Sequence, residues 1–172
     1  MAENKREPRR FGEINSAAET LKIGAGTPQE INALFAAFAR AADFDVRIVA
    51  CNCRTFILFS PDIAAPFVIS GRAIAVSVEG KWKYYDPGST YLPAGSLPWF
   101  SSDTTSLIGD AKGSGELRCI IGTPAEANTR IRKAALNLKE DGTLEGDVEE
   151  TYSGLWEAEY KDSMYAETPT KR

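Results

Sequence analysis

The stretch from Thr27 to Phe44 constrains the fold more than any other part of the chain, because it predicts one helix from start to end. Thr27 and Glu30 have the spacing of a capping box, in which each residue satisfies a backbone N–H of the other. Pro28 suits the first helical position, where no N–H is needed. A helix beginning at Pro28 is therefore predicted.

Apolar residues recur along this helix at i, i+3, i+4 and i+7, the spacing of one helical face. They are Ile31, Leu34, Phe35 and Phe38, and the stripe continues to Ala42. The residues predicted to lie off the stripe are Gln29, Asn32 and Arg40. A helix with one such face packs on a flat partner, so we predict a core helix laid on a sheet.

Composition limits the classes of protein that fit. The chain has 172 residues, of which 43% are hydrophobic and 26% charged, and this suits one domain with a small appendage. The net charge of −4 provides no general positive field, so no nucleic-acid partner is predicted. No apolar run is long enough to span a bilayer, so no membrane insertion is predicted. Residues 1–20 are predicted to form a flexible N-terminal arm.

The chain contains no histidine, which removes the commonest general base near neutral pH and the commonest metal ligand. Triads of the Ser-His-Asp and Cys-His types need that imidazole. A tetrahedral zinc site without histidine would need more thiolates than the three cysteines supply. The sequence predicts neither a metal site nor a cofactor.

The three cysteines are predicted to be free thiols that are mostly buried. Cys51 and Cys53 are one residue apart in an apparent strand, which places both on one face of it and does not suit a disulfide. Cys119 lies in a later apolar strand, predicted over residues 117–121.

Strands are predicted on both sides of a proline-containing loop over residues 61–71. Residues 45–59 read as a strand or strand pair, and residues 72–78 and 81–85 as a β-hairpin around Glu79-Gly80. Asp86-Pro87-Gly88 ends the hairpin, and a loop over residues 91–106 carries Trp99 and Phe100.

A second hairpin is predicted near the C-terminus, with strands over residues 130–139 and 143–152. A three-residue loop with Gly142 in the left-handed conformation would place Leu138 opposite Leu144, with the cross-strand pairs Ala134/Val148 and Lys133/Glu149 further along. An isolated hairpin is marginal in water, so it needs a packing partner. Trp156 and Tyr160, in an amphipathic piece over residues 155–165, are predicted to supply that contact.

These elements and motifs resemble the transglutaminase-like core of the papain-like superfamily of thiol enzymes. The most specific match is Gly80-Lys81-Trp82 followed by Asp86-Pro87, and the coverage is good from about residue 21 to 106. The resemblance is closest to a bacterial branch in which this core is joined to β-rich flanking domains. It implies an α+β fold with a transglutaminase-like core over residues 21–125 and a C-terminal β-hairpin extension over residues 126–172, as part of a longer protein.

The same resemblance implies where catalytic residues would stand. The cysteine position falls on Pro28, the histidine position on Gly71 or Arg72, and the acid position on Asp86. Only Asp86 keeps a functional side chain, and it also suits the cap of an Asp-Pro-Gly turn. The chain is therefore predicted not to be an enzyme but a catalytically inactive binding or scaffolding module, with a protein or peptide partner.

Two alternatives stay open. One is a thiol enzyme that uses Cys51 or Cys53, and the other is a structural module that self-associates through the edge of the C-terminal hairpin. The predicted ligand cleft lies between the start of the core helix and the first hairpin, lined by Gln29, Arg72, Asp86 and Trp99. Family members are often exported, so the resemblance implies an extracytoplasmic location, which the free thiols and the absent signal peptide do not support.

Overall fold

The computed structural model describes residues 15–55, 69–110 and 113–166. They form an α+β fold of helices and antiparallel strands, which confirms the predicted class. In chain order the elements are α1 (Ala17–Ile23), α2 (Pro28–Ala41), β1 (Val46–Asn52), β2 (Ile69–Val78), β3 (Lys81–Tyr85), β4 (Thr104–Gly109), β5 (Gly115–Ile120), β6 (Arg130–Leu138), β7 (Leu144–Tyr152) and α3 (Leu155–Ala166). Most of the predicted arm, the loop predicted over residues 61–71 as far as residue 68, and residues 167–172 lie outside the described residues.

The predicted capping box at the start of α2 is present. The Thr27 hydroxyl accepts the Glu30 N–H at 3.3 Å, and the Glu30 carboxylate accepts the Thr27 N–H at 2.6 Å. The other Glu30 oxygen accepts the N–H of Asn15 at 2.7 Å, just before α1. Glu30 is completely buried. Its two carboxylate oxygens bond the N-cap of α2 and the residue before the N-cap of α1, so this one side chain joins the two helix starts.

The face of α2 that packs on the sheet differs from the prediction by one residue. Its members are again spaced at i, i+3, i+4 and i+7, but they are Asn32, Phe35, Ala36 and Ala39. Asn32 is 4% exposed and Phe38 is 53% exposed, so both predictions were wrong. Small side chains at Ala36 and Ala39 let the helix lie close to the sheet, which large residues on the predicted face would prevent.

The main sheet has five antiparallel strands in the order β3-β2-β1-β4-β5. One face packs on α2 through Val46, Ile74 and Val76. The opposite face forms a second core around Val49 and Ile108, which Leu97 from the loop after β3 covers. The sheet curls enough for residues of both edge strands to line one open cavity.

The strands after α2 differ from the prediction at their ends. The β1 strand stops at Asn52, with an irregular register between Cys51 and Asn52, so Cys53 lies beyond the strand. All three thiols are free, as predicted, but only Cys51 is buried. Cys119 is exposed because it lies on the uncovered face of edge strand β5, opposite Thr105.

The C-terminal hairpin has the predicted register. Leu138 pairs with Leu144, and the pairs Ala134/Val148 and Lys133/Glu149 follow along β6 and β7. Gly142 has φ of 85°, the left-handed conformation that a three-residue loop requires. The two strands form a separate sheet whose distal side chains are exposed.

A hydrogen-bonded junction joins this hairpin to the rest of the chain. The Asn128 amide donates to the carbonyls of Thr123 and Pro124, and its oxygen accepts the N–H of Leu155 at 2.8 Å, at the start of α3. Tyr160 of α3 then stacks on Tyr152 of β7, with ring centroids 4.5 Å apart. The predicted contact of Tyr160 with the hairpin is confirmed, and it covers only the base of β7.

The two capping boxes of this chain provide a matched stability test. Replacing Glu30 by Ala removes the buried carboxylate that accepts from the N–H groups of Thr27 and Asn15, which should lower the free energy of unfolding by about 2–4 kcal/mol. Glu19→Ala removes the equivalent, exposed box of α1 and should cost clearly less, because water replaces the lost acceptor. Urea unfolding followed by circular dichroism measures both, and equal losses would contradict the role given to Glu30.

Candidate functional site

The first turn of α2 and the turn after β3 are in direct contact. A Cβ added at Gly88 would overlap the backbone carbonyl of Pro28, so only glycine permits this approach. The contact joins Pro28, which stands where the resemblance places the nucleophile, to the turn that carries Asp86. Two of the three predicted catalytic positions are thus brought together.

The side chain of Asn32 joins α2 to the same turn by hydrogen bonds. Its amide Nδ2 donates to Asp86 Oδ1 at 2.8 Å, and its Oδ1 accepts the N–H of Gly88 at 2.8 Å. The second Asp86 oxygen accepts from the Ser89 hydroxyl at 2.7 Å. Both carboxylate oxygens of Asp86 are therefore engaged in holding its own turn against α2.

The third predicted position lies at the same end of the sheet. Gly71 and Arg72 pair with Cys51 and Ala50 in β1, and the register of β2 with β3 ends at the pair Ile74/Tyr85, beside Asp86. The backbone of all three predicted positions converges there. The Arg72 side chain lies outside the described part of the structure.

The thiol closest to this end of the sheet is poorly suited to nucleophilic chemistry. Burial raises the pKa of Cys51 to about 11, and the negative charge of Asp86 adds to the effect, while the Ser106 hydroxyl and the Ala73 backbone act against it. A thiol with that pKa is almost entirely protonated near neutral pH. Cys53 is half-buried, with its sulfur 2.9 Å from the Thr55 hydroxyl.

Trp99 lines cavities formed with α3, and Gln29 is not among the residues that line them. Gln29 is exposed on the first turn of α2, whereas Trp99 begins a short 3-10 turn over Trp99–Ser101 and faces α3. Between that turn and α3 is a cavity of about 430 Å³, which we call the tryptophan groove. Its lining includes Arg54, Trp99, Asp103, Asn128, Trp156 and Glu159.

A smaller cavity of about 130 Å³ continues this cavity along α3, and we include it in the tryptophan groove. The two cavities share Trp99, Leu155 and Glu159, and the smaller one also reaches Asp162 and Ser89. Ser89 belongs to the turn after β3 and donates to Asp86, so the groove reaches the turn that carries Asp86. The predicted cleft residues Asp86 and Trp99 are linked in this way without sharing a cavity.

Hydrogen bonds and charges fix the wall of the groove opposite α3. The Arg54 N–H donates to the Phe100 carbonyl at 3.0 Å, which places the Arg54 guanidinium 5.4 Å from the centre of the Trp99 ring. The same guanidinium lies 3.8 Å from Asp103. Arg54 is therefore held by an indole face and a carboxylate together.

Trp99 was predicted from the sequence as a site residue, whereas the residues beside it in the groove were not. Arg54, Asp103 and Glu159 come from three distant parts of the chain, and no spacing connects them. Trp156 was assigned to hairpin packing, but it also lines the groove, and Arg130 lies 5.9 Å from the centre of its ring. One available signal was the spacing of Leu155, Ala158, Glu159 and Asp162, which puts two carboxylates on the apolar side of α3.

Comparison of the chain with family models, with curated proteins and with solved structures finds no match. The resemblance to the transglutaminase-like core therefore stays a prediction from the sequence motifs. Among the described residues, no helix has the length and apolar character needed to cross a membrane. The same residues contain no group of His, Cys, Asp or Glu side chains arranged to hold a metal ion.

Removing the Asn32 amide should destabilise the protein and loosen the closed turn. In Asn32→Leu, a side chain of similar size leaves the Gly88 N–H and one Asp86 oxygen without their partner, at a cost of about 2–4 kcal/mol. Urea unfolding measures the loss, and hydrogen exchange should show faster exchange at Gly88 and Ser89. Gln29→Leu, one turn earlier and exposed, is the control; an equal effect there would contradict the assignment.

Proposed function

We propose that the chain is a catalytically inactive, transglutaminase-like binding module of a larger bacterial protein, and that its ligand occupies the tryptophan groove. The observation that carries the proposal is the contact of Gly88 with Pro28. Hydrogen bonds from Asn32 to Asp86 and Gly88 stabilise this contact. A substrate carbonyl would have to enter between these groups to reach a nucleophile at this helix start. The close contact of these backbone atoms supports an inactive assignment.

The chemistry of the neighbouring groups supports the same reading. A thiol nucleophile works as a thiolate, which a nearby positive group or a helix N-terminus stabilises. Cys51 instead lies on a strand, is buried, and has its pKa raised to about 11. Asp86 is bonded to Asn32 and Ser89 and is not presented to a base. The alternative of a thiol enzyme using Cys51 therefore lacks an activated group.

The tryptophan groove has the features of a binding site. Ligand pockets are concave and largely apolar, and a few fixed polar groups set their specificity. Trp99 and Trp156 are 42% and 43% exposed, so large aromatic surfaces are left uncovered beside the guanidinium of Arg54 and the amide of Asn128. Exposed tryptophans in a groove are typical anchors for protein or peptide partners. An extracytoplasmic location of the full-length protein belongs to this proposal through the resemblance alone.

The proposal predicts which of the three indoles responds to ligands. A mixed library of short peptides, observed by the indole N–H signals in ¹⁵N NMR, should shift Trp99 and Trp156 together. The Trp82 signal should stay in place, because that ring lies on β3, where Arg47 stacks on it at 4.8 Å. Trp99→Ala should remove the response of Trp156. Hits that move only Trp82, or residues around Gln29, would contradict the groove.

Turnover is the second arm of the same experiment. The protein is incubated with peptide amides and amine acceptors, before and after alkylation with iodoacetamide. No hydrolysis or amide exchange is expected in either sample, and Cys51 should be alkylated only after unfolding. Turnover that iodoacetamide abolishes would contradict the inactive assignment and favour the thiol enzyme with Cys51 or Cys53.

The charge pattern of the C-terminal hairpin favours a second candidate function, self-association. Its cations are on β6, at Arg130, Arg132 and Lys133, whereas β7 carries only acids, at Glu145, Asp147, Glu149 and Glu150. The outer edges of both strands are unpaired within the described structure. Pairing of β6 with β6, or of β7 with β7, brings like charges together. Strand addition would therefore join β6 of one copy to β7 of the next, a head-to-tail contact.

Reversing one charge on β7 tests this candidate. Asp147 lies opposite Ala135, so Asp147→Lys breaks no cross-strand ion pair but places a cation on the acidic edge. Sedimentation over a range of concentrations should show association of the wild type, weakened roughly tenfold by Asp147→Lys and by salt. Glu126→Lys, with the same charge change outside the hairpin, should associate normally. A wild type that stays monomeric at every concentration would rule the candidate out.

A further inference from the structure

We propose that the tryptophan groove takes a basic peptide segment, with a lysine or arginine cation held by Glu159 and Asp162. The inference rests on the proposed function, since it specifies the ligand of the same groove. It follows from the placement of charge along α3, from the aromatic walls and from the length of the groove.

The first observation is that two exposed carboxylates of α3 lie along the side of the helix that borders the groove. Leu155, Ala158, Glu159 and Asp162 share one face at i, i+3, i+4 and i+7, and all four line the groove. Ala158 is 5% exposed, which shows that this face is the packed one. Glu159 and Asp162 are themselves exposed, and they border the open cavity beside the buried Ala158.

The second observation is that these carboxylates have no cation of their own. Neither Glu159 nor Asp162 has an ion pair within 4 Å in the described part of the chain, whereas Glu157, on the solvent side of α3, pairs with Lys161. The cation of the groove, Arg54, already faces Asp103 and Trp99. The free charge in the groove is therefore negative, and a cationic group complements it.

The aromatic walls suit the same ligand. A lysine ammonium or an arginine guanidinium is attracted to the face of an indole, and the methylene stem of either side chain packs on apolar surface. Trp99 and Phe100 meet edge to face, with centroids 5.9 Å apart, and both line the cavity that holds Glu159 and Asp162. A cation in this cavity would therefore contact both the carboxylates and the aromatic rings.

The helix dipole sets the direction in which the peptide lies. The N-terminus of α3, at Leu155, carries partial positive charge and disfavours a cation, whereas Asp162 lies about two turns away from that end. The cation is therefore placed toward Asp162, and the peptide backbone toward Asn128 and Ser102. From Trp156 to Asp162 the helix rises about 9 Å, which matches about three residues of extended chain.

Three peptides of equal length test the ligand class. They are Ac-Gly-Lys-Ala-Lys-Gly-NH2, the same peptide with both lysines acetylated, and the same peptide with glutamate in place of lysine. The indole signals of Trp99 and Trp156 report binding. The lysine peptide should bind at least about tenfold more tightly than the other two, and this preference should shrink as the salt is raised from about 50 mM to about 500 mM.

Paired variants locate the cation. Glu159→Gln with Asp162→Asn should weaken binding of the lysine peptide roughly tenfold. Asp43→Asn with Glu140→Gln changes the net charge equally at exposed positions outside the groove and should leave binding within about twofold. Equal losses of affinity in both variants would show that binding depends only on the net charge of the protein, and this would overturn the inference.

The remaining outcomes separate this inference from the function on which it rests. If the acetylated or the glutamate peptide shifts Trp99 and Trp156 as strongly as the lysine peptide, the groove binds peptides and the cationic class is wrong. If the lysine peptide leaves both indoles unmoved, the inference is overturned. The library experiment then decides separately whether the groove binds anything.

Discussion

The buried amide of Asn32 is the interaction on which the arrangement of this core depends. It bonds at once to a side chain and to a backbone N–H of the turn after β3, so the first turn of α2 cannot move away from the sheet without breaking both hydrogen bonds. Gly88 makes the approach sterically possible, and Asn32 makes it energetically favourable. Together they fix the helix start and the end of β3 as one unit, and Ser89 extends that unit to the wall of the tryptophan groove.

Local pattern predicted those parts of the fold that local chemistry decides. The capping box, the Glu79-Gly80 turn and the register of the C-terminal hairpin each depend on residues a few positions apart, and all three are present. The prediction of the packed face of α2 was wrong because the orientation of the helix depends on the bond of Asn32 to Asp86, 54 positions away. Hydrophobic periodicity favours Phe38 over Asn32 as a core residue, because it takes no account of hydrogen bonds between distant parts of the chain.

The candidate site was predicted less completely, for a related reason. Trp99 was named because it stands in a loop near the predicted cleft, and Asp86 because the resemblance places the acid position there. Arg54, Asp103 and Glu159 are ordinary charged residues in sequence, and they become informative only when the chain brings them to one cavity. The carboxylates of α3 carried a detectable signal, but it has meaning only once Ala158 shows which side of the helix is packed.

The closed turn and the open groove are consistent with one another in energetic terms. A groove binds a ligand well when its walls need no ordering on binding, because each segment fixed at that moment subtracts from the affinity. The turn from Asp86 to Ser89 is held by hydrogen bonds from Asn32 and from within itself, and it ends at the groove. At the opposite wall, the Arg54 N–H and the Asn128 amide fix the 3-10 turn and the start of α3. The hydrogen bonds that hold the turn after β3 therefore also make a neighbouring surface rigid, and a rigid surface with exposed indoles supports the proposed recognition of a ligand.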